Sequence, residues 1–157
     1  MAVSHEEFRQ ALGRFASGVT VVTCKSEGGD PCGITVSAFS SLSLEPALVL
    51  ICIDKRASVH EELKEGRSFA VNFLAQDQEA ISRRFASRDE DRFKGLGYHE
   101  GQTGAPLIDG ALAYIECRVA HSYPGGDHTI FVGQVETSGV NEGKPLLYFR
   151  GGYSSIA

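Results

Sequence analysis

The sequence predicts a mainly β protein, an antiparallel barrel carrying two or three peripheral helices. Strand-like runs recur along the whole chain, hairpin turn signals separate many of them, and helical patterns are scarce. Most strand-to-strand connections are too short for the crossover that a parallel βαβ unit needs. At 157 residues, 42% of them hydrophobic, the chain suits a single domain over residues 1–157 with one core.

The opening reads as a helix. Ser4 can cap it and Glu7 completes a capping box. Phe8, Ala11, Leu12 and Phe15 fall at i, i+3, i+4 and i+7 on one apolar face, and Gly18 stops the run. GVTVVTCKS (18–26) is β-branched and closes on the turn signal EGGDP, which makes CGITVSAF (32–39) its hairpin partner. PALVLICID (46–54) is a continuous apolar run of the kind expected for a strand buried on both faces. ASVHEELKEG then reads as a short helix, with Ser58 and Glu61 as a second capping box and Gly66 as its stop. SFAVNFL (68–74) returns to strand, DQEAISRRFAS (77–87) to helix, and residues 88–106 form a polar, glycine-rich excursion. Strands over 111–123, 128–140 and 145–153 complete the chain.

Composition removes several function classes. No apolar run approaches the ~20 residues of a membrane span. The opening MAVSHEEF turns acidic at once, unlike a secretory signal, so a cytoplasmic location is expected. Fifteen basic against twenty acidic side chains, with no basic run, give no support to a nucleic-acid surface. Cys24, Cys32, Cys52 and Cys117 form no CxxC, and the five histidines form no HxxxH pair, so no metal site is expected. In a reducing compartment the four cysteines read as small buried hydrophobes.

Three stretches can carry chemistry. GITVSAFSSLSLEP (33–46) places hydroxyls and small residues between two apolar runs. Small side chains let a backbone approach a flat heterocycle, and hydroxyls can meet its polar edge. The same serines suit a solvated turn equally well. CIDKRASV (52–59) runs from an apolar strand through Asp54, Lys55 and Arg56 to a helix start at Ser58, a setting that favours a phosphate. A basic pair in a loop is also simply solvated. In YPGGDHTIFVGQVE, His128 follows a Gly-Gly-Asp turn, where it can hydrogen-bond an amide, stack on a ring, or rest as a surface residue. YFRGGY (148–153) places aromatics and Arg150 around a glycine pair, suited to clamping a nucleotide or to ending an edge strand. No GxGxxG, P-loop or GxSxG elbow is present, so in an enzyme the chemistry would fall to a cofactor.

Taken in order, FASGVTVVT, GITVSAFSSLSLEPALVLICIDKRAS, FAVNFL, GDHTIFVGQVE and YFRGGY resemble the short-chain flavin reductases from about Arg9 to Tyr153. These NAD(P)H:flavin oxidoreductases supply reduced flavin to two-component flavin-dependent monooxygenases. The resemblance implies a split β-barrel, a homodimer, FMN or FAD bound near the subunit interface, NADH or alternatively NADPH as reductant, and a monooxygenase component as partner. It implies that Thr35, Val36, Ser37 and Ala38 meet the isoalloxazine edge, with Ser41 close by. Cys52, Ile53, Asp54, Lys55, Arg56, Ala57, Ser58 and Val59 would follow the ribityl chain to the phosphate, with Lys55 and Ser58 as anion contacts. Ala86, Ser87 and Arg92 would lie near the distal part of the flavin nucleotide. His128, as the catalytic residue, and Tyr148, Phe149, Arg150 and Gly151 would hold the nicotinamide nucleotide. Hydride transfer then needs stacking and orientation at roughly 3–3.5 Å and no side-chain nucleophile. Cys52 reads as packing, since an apolar strand gives it no positive neighbour to lower its pKa. On the same fold, a flavin-binding electron carrier or sensor, or a reductase that keeps its flavin and reduces another acceptor, are the competing readings.

Overall fold

The structure, a computed structural model, describes residues 2–157. Seven antiparallel strands form its main sheet: β2 (Thr20–Lys25), β3 (Pro31–Val36), β4 (Phe39–Ser43), β5 (Leu48–Asp54), β6 (Ser68–Phe73), β9 (Ala113–Gly125) and β10 (His128–Val140). Their order across the sheet is β3-β2-β6-β9-β10-β5-β4. The two edges, β3 and β4, are consecutive in the chain and are joined only by Ser37 and Ala38. So short a link forces the sheet to curl until its edges nearly meet, and the result is a split barrel. The hydroxyl-rich stretch therefore crosses the seam of the barrel.

Alternation along β5 sets the two sides of the wall. Val49, Ile51 and Ile53 point into the barrel, where they pack with Val22, Phe69, Val71, Val119 and Phe131. Leu48, Leu50, Cys52 and Asp54 are half-buried on the outer side. The strand is thus not buried on both faces as its composition predicts. Two of its outer residues, Leu50 and Cys52, are apolar because they line a cleft. Gly133 on β10 makes room for the core: a Cβ there would lie 2.6 Å from the Phe69 ring.

Two helices and two small sheets surround the barrel. The first helix, α1 (His5–Gly13), has the expected capping box, with the Ser4 hydroxyl accepting from the Glu7 N–H and the Glu7 carboxylate from the Ser4 N–H. It stops at Gly13 rather than Gly18, because Ser17–Gly18 are taken into β1, which pairs with β11 (Leu146–Phe149). Its apolar face stays uncovered, with Phe8, Leu12 and Phe15 at 52%, 56% and 80% exposure. The second helix, α2 (Glu79–Phe85), packs on β3 through Phe85, which occupies the space a side chain at Gly33 would need. A second cluster of Val19, Val21, Leu74, Phe85, Phe93 and Ile108 seals that side.

The helix expected from Ala57 to Gly66 is only a five-residue 3₁₀ turn, Ser58–Glu62. Ala57 occupies its N-cap and no side chain caps it, so the second capping box does not form. The polar excursion after α2 is ordered by guanidinium groups. Arg84 donates to the carbonyls of Asp91 and Lys94, and Arg92 to those of Gly33 and Ser87. Phe93 is buried there between Phe85 and Tyr98, and β7 (Tyr98–Glu100) pairs with β8 (Pro106–Ile108). The last run divides into the hairpin of β11 and β12 (Gly152–Ser155), turning at Arg150 and Gly151 with φ of 54° and 76°.

Candidate functional site

Strand β3 has a cleft at each end. At the seam, a cleft of about 670 Å³ is lined by apolar groups of Leu12, Phe15, Ala38, Leu50, Cys52 and Tyr148, with the hydroxyls of Ser37 and Ser40. Arg9 and Arg150 also line it, and no carboxylate does. Among the described residues, neither Ser37 nor Ala38 donates its backbone N–H to another part of the chain. An apolar slot of this size with a few convergent donors suits a flat heterocycle with a polar edge.

The hairpin tip shapes one wall of this cleft. Arg150 lies in the left-handed region, where a residue with a side chain is uncommon. Its N–H donates to the Gly13 carbonyl at 2.8 Å, tying the tip to the end of α1. Tyr148 packs edge-on against Tyr153, whose hydroxyl meets that of Ser82 at 2.7 Å and whose ring lies under the Arg83 guanidinium. Helix α2 thereby holds the aromatic hairpin in place.

At the other end of β3, Pro31, Cys32, Gly33, Ser58, Arg88 and Arg92 line a cleft of about 600 Å³. Asp30, Asp89, Glu90 and Asp91 line it too, so carboxylates outnumber guanidinium groups. Gly33 at the polar cleft and Ser37 at the seam are four residues apart, roughly 13 Å at ~3.3 Å per residue.

The structure places the expected residues in several groups. Ser37, Ala38, Cys52, Tyr148, Arg150 and Gly151 meet at the seam cleft, and Ser58 and Arg92 at the polar one. Thr35 lies between them, but its hydroxyl donates to the Ser82 carbonyl and so anchors α2. Val36, Ile53 and Val59 send their side chains into the core, which leaves only their backbone at the surface, and Ala57 packs against that core. Ser41 and Phe149 are exposed and line neither cleft. Ala86 caps the end of α2, while Ser87 donates to Arg84 O and accepts from Arg92 through its carbonyl.

Asp54, Lys55, Arg56 and His128 gather at the ends of β5 and β10, outside both clefts. His128 pairs with Asp54 in the register, one step along the outer face from the Cys52–Ile130 pair. Its Nδ1 lies 2.7 Å from the Asp127 carboxylate, an interaction that lowers the pKa of Asp127. Arg56 binds Asp54 through its side chain and its backbone N–H, holding the Asp54 carboxyl down at about 2. That guanidinium is already paired, while Lys55 has no ion-pair partner among the described residues.

Sequence reasoning missed Arg9, Leu12, Phe15 and Leu50 at the seam, where Ser40 comes from the hydroxyl-rich stretch it singled out, and Arg88 at the polar cleft. The α1 residues carried a signal: Arg9 and Leu12, three apart, share a helix face. What could not be read was that this face turns toward a cleft.

A split barrel with an apolar heterocycle slot at one end of a strand and a polar cleft at the other defines a nucleotide-binding barrel. Residues 12–157 match the flavin reductase like domain, and the chain belongs to that family. It is 45% identical over 152 residues to the reductase component of 4-hydroxyphenylacetate 3-monooxygenase from Thermus thermophilus, covering 96% of each chain. It is 41% identical over 153 residues to an NADH-dependent flavin reductase from a Rhodococcus species, covering 94% of this chain and 84% of that one. The Streptomyces globisporus NADH:FAD oxidoreductase, solved with NAD and FAD fragments, superposes with a TM-score of 0.92 at 39% identity, covering 100% of this chain and 97% of the other.

Proposed function

We propose that the protein is an NADH-dependent flavin reductase, an NAD(P)H:flavin oxidoreductase that supplies reduced flavin to a monooxygenase component, and that it acts as a homodimer. The observation that carries this reading is the seam cleft, an apolar slot with two unpaired backbone donors, three serines and two guanidinium groups. The donor set fits a flavin ring whose polar edge meets Ser37 and Ala38. The bound flavin would supply the hydride acceptor and the reduced nicotinamide the donor.

The side chains then have holding roles. Leu12, Phe15 and Leu50 exclude water from the slot, and Ser37 and Ser40 orient the polar edge. Arg9 and Arg150 draw the anionic part of a nucleotide to the rim. A chain of this kind needs no side-chain nucleophile. NADH is preferred here to NADPH on the printed activities of the Rhodococcus and Streptomyces relatives. The uncovered face of α1 supports a second copy of the chain as its cover: Phe8, Leu12 and Phe15 form an apolar stripe that water would otherwise wet. His128 lies outside both clefts of its own chain, so a role at the nicotinamide would need a bound nucleotide reaching past Cys52, or the second copy.

The test is oxidation of NADH and NADPH by purified protein with no flavin, FMN or FAD added. Turnover that rises and saturates with added flavin is the expected result. Flavin binding without NADH turnover would make the protein a carrier or sensor. Turnover that ignores added flavin would indicate one that keeps its own.

A further inference from the structure

Cys24 on β2 and Cys32 on β3 stand directly opposite each other in the strand register. Both are free thiols, and their sulfurs lie 2.8 Å apart. Cys24 is buried at 1% exposure, whereas Cys32 is half-buried and lines the polar cleft beside Gly33 and Ser58. Opposed residues on antiparallel strands have Cα atoms about 4.5–5.5 Å apart, inside the ~4.4–6.8 Å span of disulfides. The pair can therefore close without moving the backbone. Nothing in the reductase reading uses these two thiols.

The surroundings divide the pair into an attacking and a resolving partner. The hydrogen bond between the thiols, taken with Cys24 as donor, lowers the pKa of Cys32 and outweighs the opposing effects of burial and the Glu62 carboxylate, which Arg67 partly offsets. The same hydrogen bond and burial raise the pKa of Cys24. Cys32 is also the one a small molecule in the cleft can reach. Thiolate character together with access is what makes a cysteine oxidisable.

We propose that Cys24 and Cys32 form a peroxide-oxidisable dithiol in the wall of the polar cleft, with Cys32 attacked first and Cys24 resolving. The oxidant is hydrogen peroxide, which dihydroflavin forms when it meets dioxygen before reaching its acceptor. That source rests on the flavin reductase reading; the dithiol chemistry does not. The Cys32 thiolate attacks one peroxide oxygen, the O–O bond breaks, and the departing hydroxide takes a proton to leave as water. Cys32 is then a sulfenic acid. The Cys24 sulfur attacks the Cys32 sulfur, the S–O bond breaks, and a second water leaves with the Cys24 proton. Two thiols and one peroxide thus become one disulfide and two waters. A small thiol entering by the cleft reverses the reaction at Cys32.

The test treats the reduced full-length protein with hydrogen peroxide and follows intact mass, free thiols and mapped peptides. The expected result is loss of two hydrogens, loss of half of the four free thiols, and a Cys24–Cys32 link that dithiothreitol removes. In Cys24→Ser, dimedone should trap a sulfenic acid on Cys32; in Cys32→Ser, Cys24 should stay reduced. No link, or first oxidation at Cys52 or Cys117, would overturn the proposal. A parallel sample turning over NADH and flavin in air should form the same link, and catalase should prevent it. Closure with added peroxide but none during measured NADH turnover would overturn the internal source of oxidant. Absent NADH turnover would instead count against the reductase reading, which the added-peroxide arm does not need.

Discussion

The two ends of β3 present opposite chemistry. The seam cleft is apolar, carries Arg9 and Arg150, and has no carboxylate in its lining. The far cleft carries Arg88 and Arg92 among Asp30, Asp89, Glu90 and Asp91. Both have two guanidinium groups, yet only the first has a positive surplus. Arg92 is further committed to the carbonyls of Gly33 and Ser87, which leaves Arg88 as the guanidinium there with no partner among the described residues. The number of arginines near a cleft therefore says little until their partners are counted. The seam suits a ring and an anion. The far end, rich in acceptors, suits the hydroxyl-bearing sugar of a nucleotide as well as its phosphate.

Replacing Arg150 should cost most, because it removes one of the two positive charges at the apolar end. Arg150→Ala is expected to raise KM for NADH by about 10- to 100-fold, since hydrogen bonds to charged groups contribute ~1.5–3 kcal/mol. Steady-state kinetics with flavin saturating reads this directly; an unchanged KM would remove Arg150 from the nucleotide site. Ser37→Val should weaken flavin binding by about 2- to 10-fold, as expected for loss of a neutral hydrogen bond of ~0.5–1.5 kcal/mol. Thermal unfolding should meanwhile stay close to that of the native chain, and a flavin titration superposing on it would sink the hydroxyl argument. His128→Ala should raise KM for NADH by a few-fold and more than that for flavin, on the scale of one such bond. Equal effects on both would end that role.

The smallest effect concerns the charged cluster beyond the clefts. Asp54 is held at about 2, below the ordinary 3.8, by Arg56. A depressed carboxyl contributes stability above its unfolded pKa and loses it as pH falls through its folded value. The melting-temperature gap between the native chain and Arg56→Gln should therefore shrink between pH 3.8 and about 2. Arg56 is exposed and Asp54 only half-buried, so the gap is expected to be small. A gap constant across that window would show that the pair has no part in folding.

Local chemistry made much of the fold readable, and the limits lie where distant segments meet. Ser4 and Glu7 announced α1 because a capping box is complete within one turn. The β2–β3 hairpin followed from its turn residues. That same turn held an unread signal: its symmetry about residue 28 places position 24 opposite 32, whereas a search for CxxC motifs passes over such a pair. The 46–54 run looked doubly buried because cleft-lining and core residues are equally apolar. At Ser58, the hydroxyl–carboxylate spacing matched a capping box, but Ser58 lies inside the 3₁₀ turn and Ala57 holds its N-cap. Closure of the barrel at Ser37 and Ala38 depends on where β4 finds its partner, and no local pattern records that. Of the site, the seam residues 37 and 38 and the 148–151 tip were legible as small, hydroxyl-bearing and aromatic positions. The contribution of α1 was not.

We propose that the flavin ring sits at the seam and that the rest of the nucleotide runs toward the far cleft. Fluorescence titration of riboflavin and FAD against the native chain, Ser37→Val and Ser58→Ala/Arg88→Ala tests it most directly. Ser37→Val should weaken both ligands alike, while the double variant should weaken FAD and spare riboflavin. Equal loss of riboflavin in the double variant, or unchanged riboflavin binding in Ser37→Val, would contradict this placement.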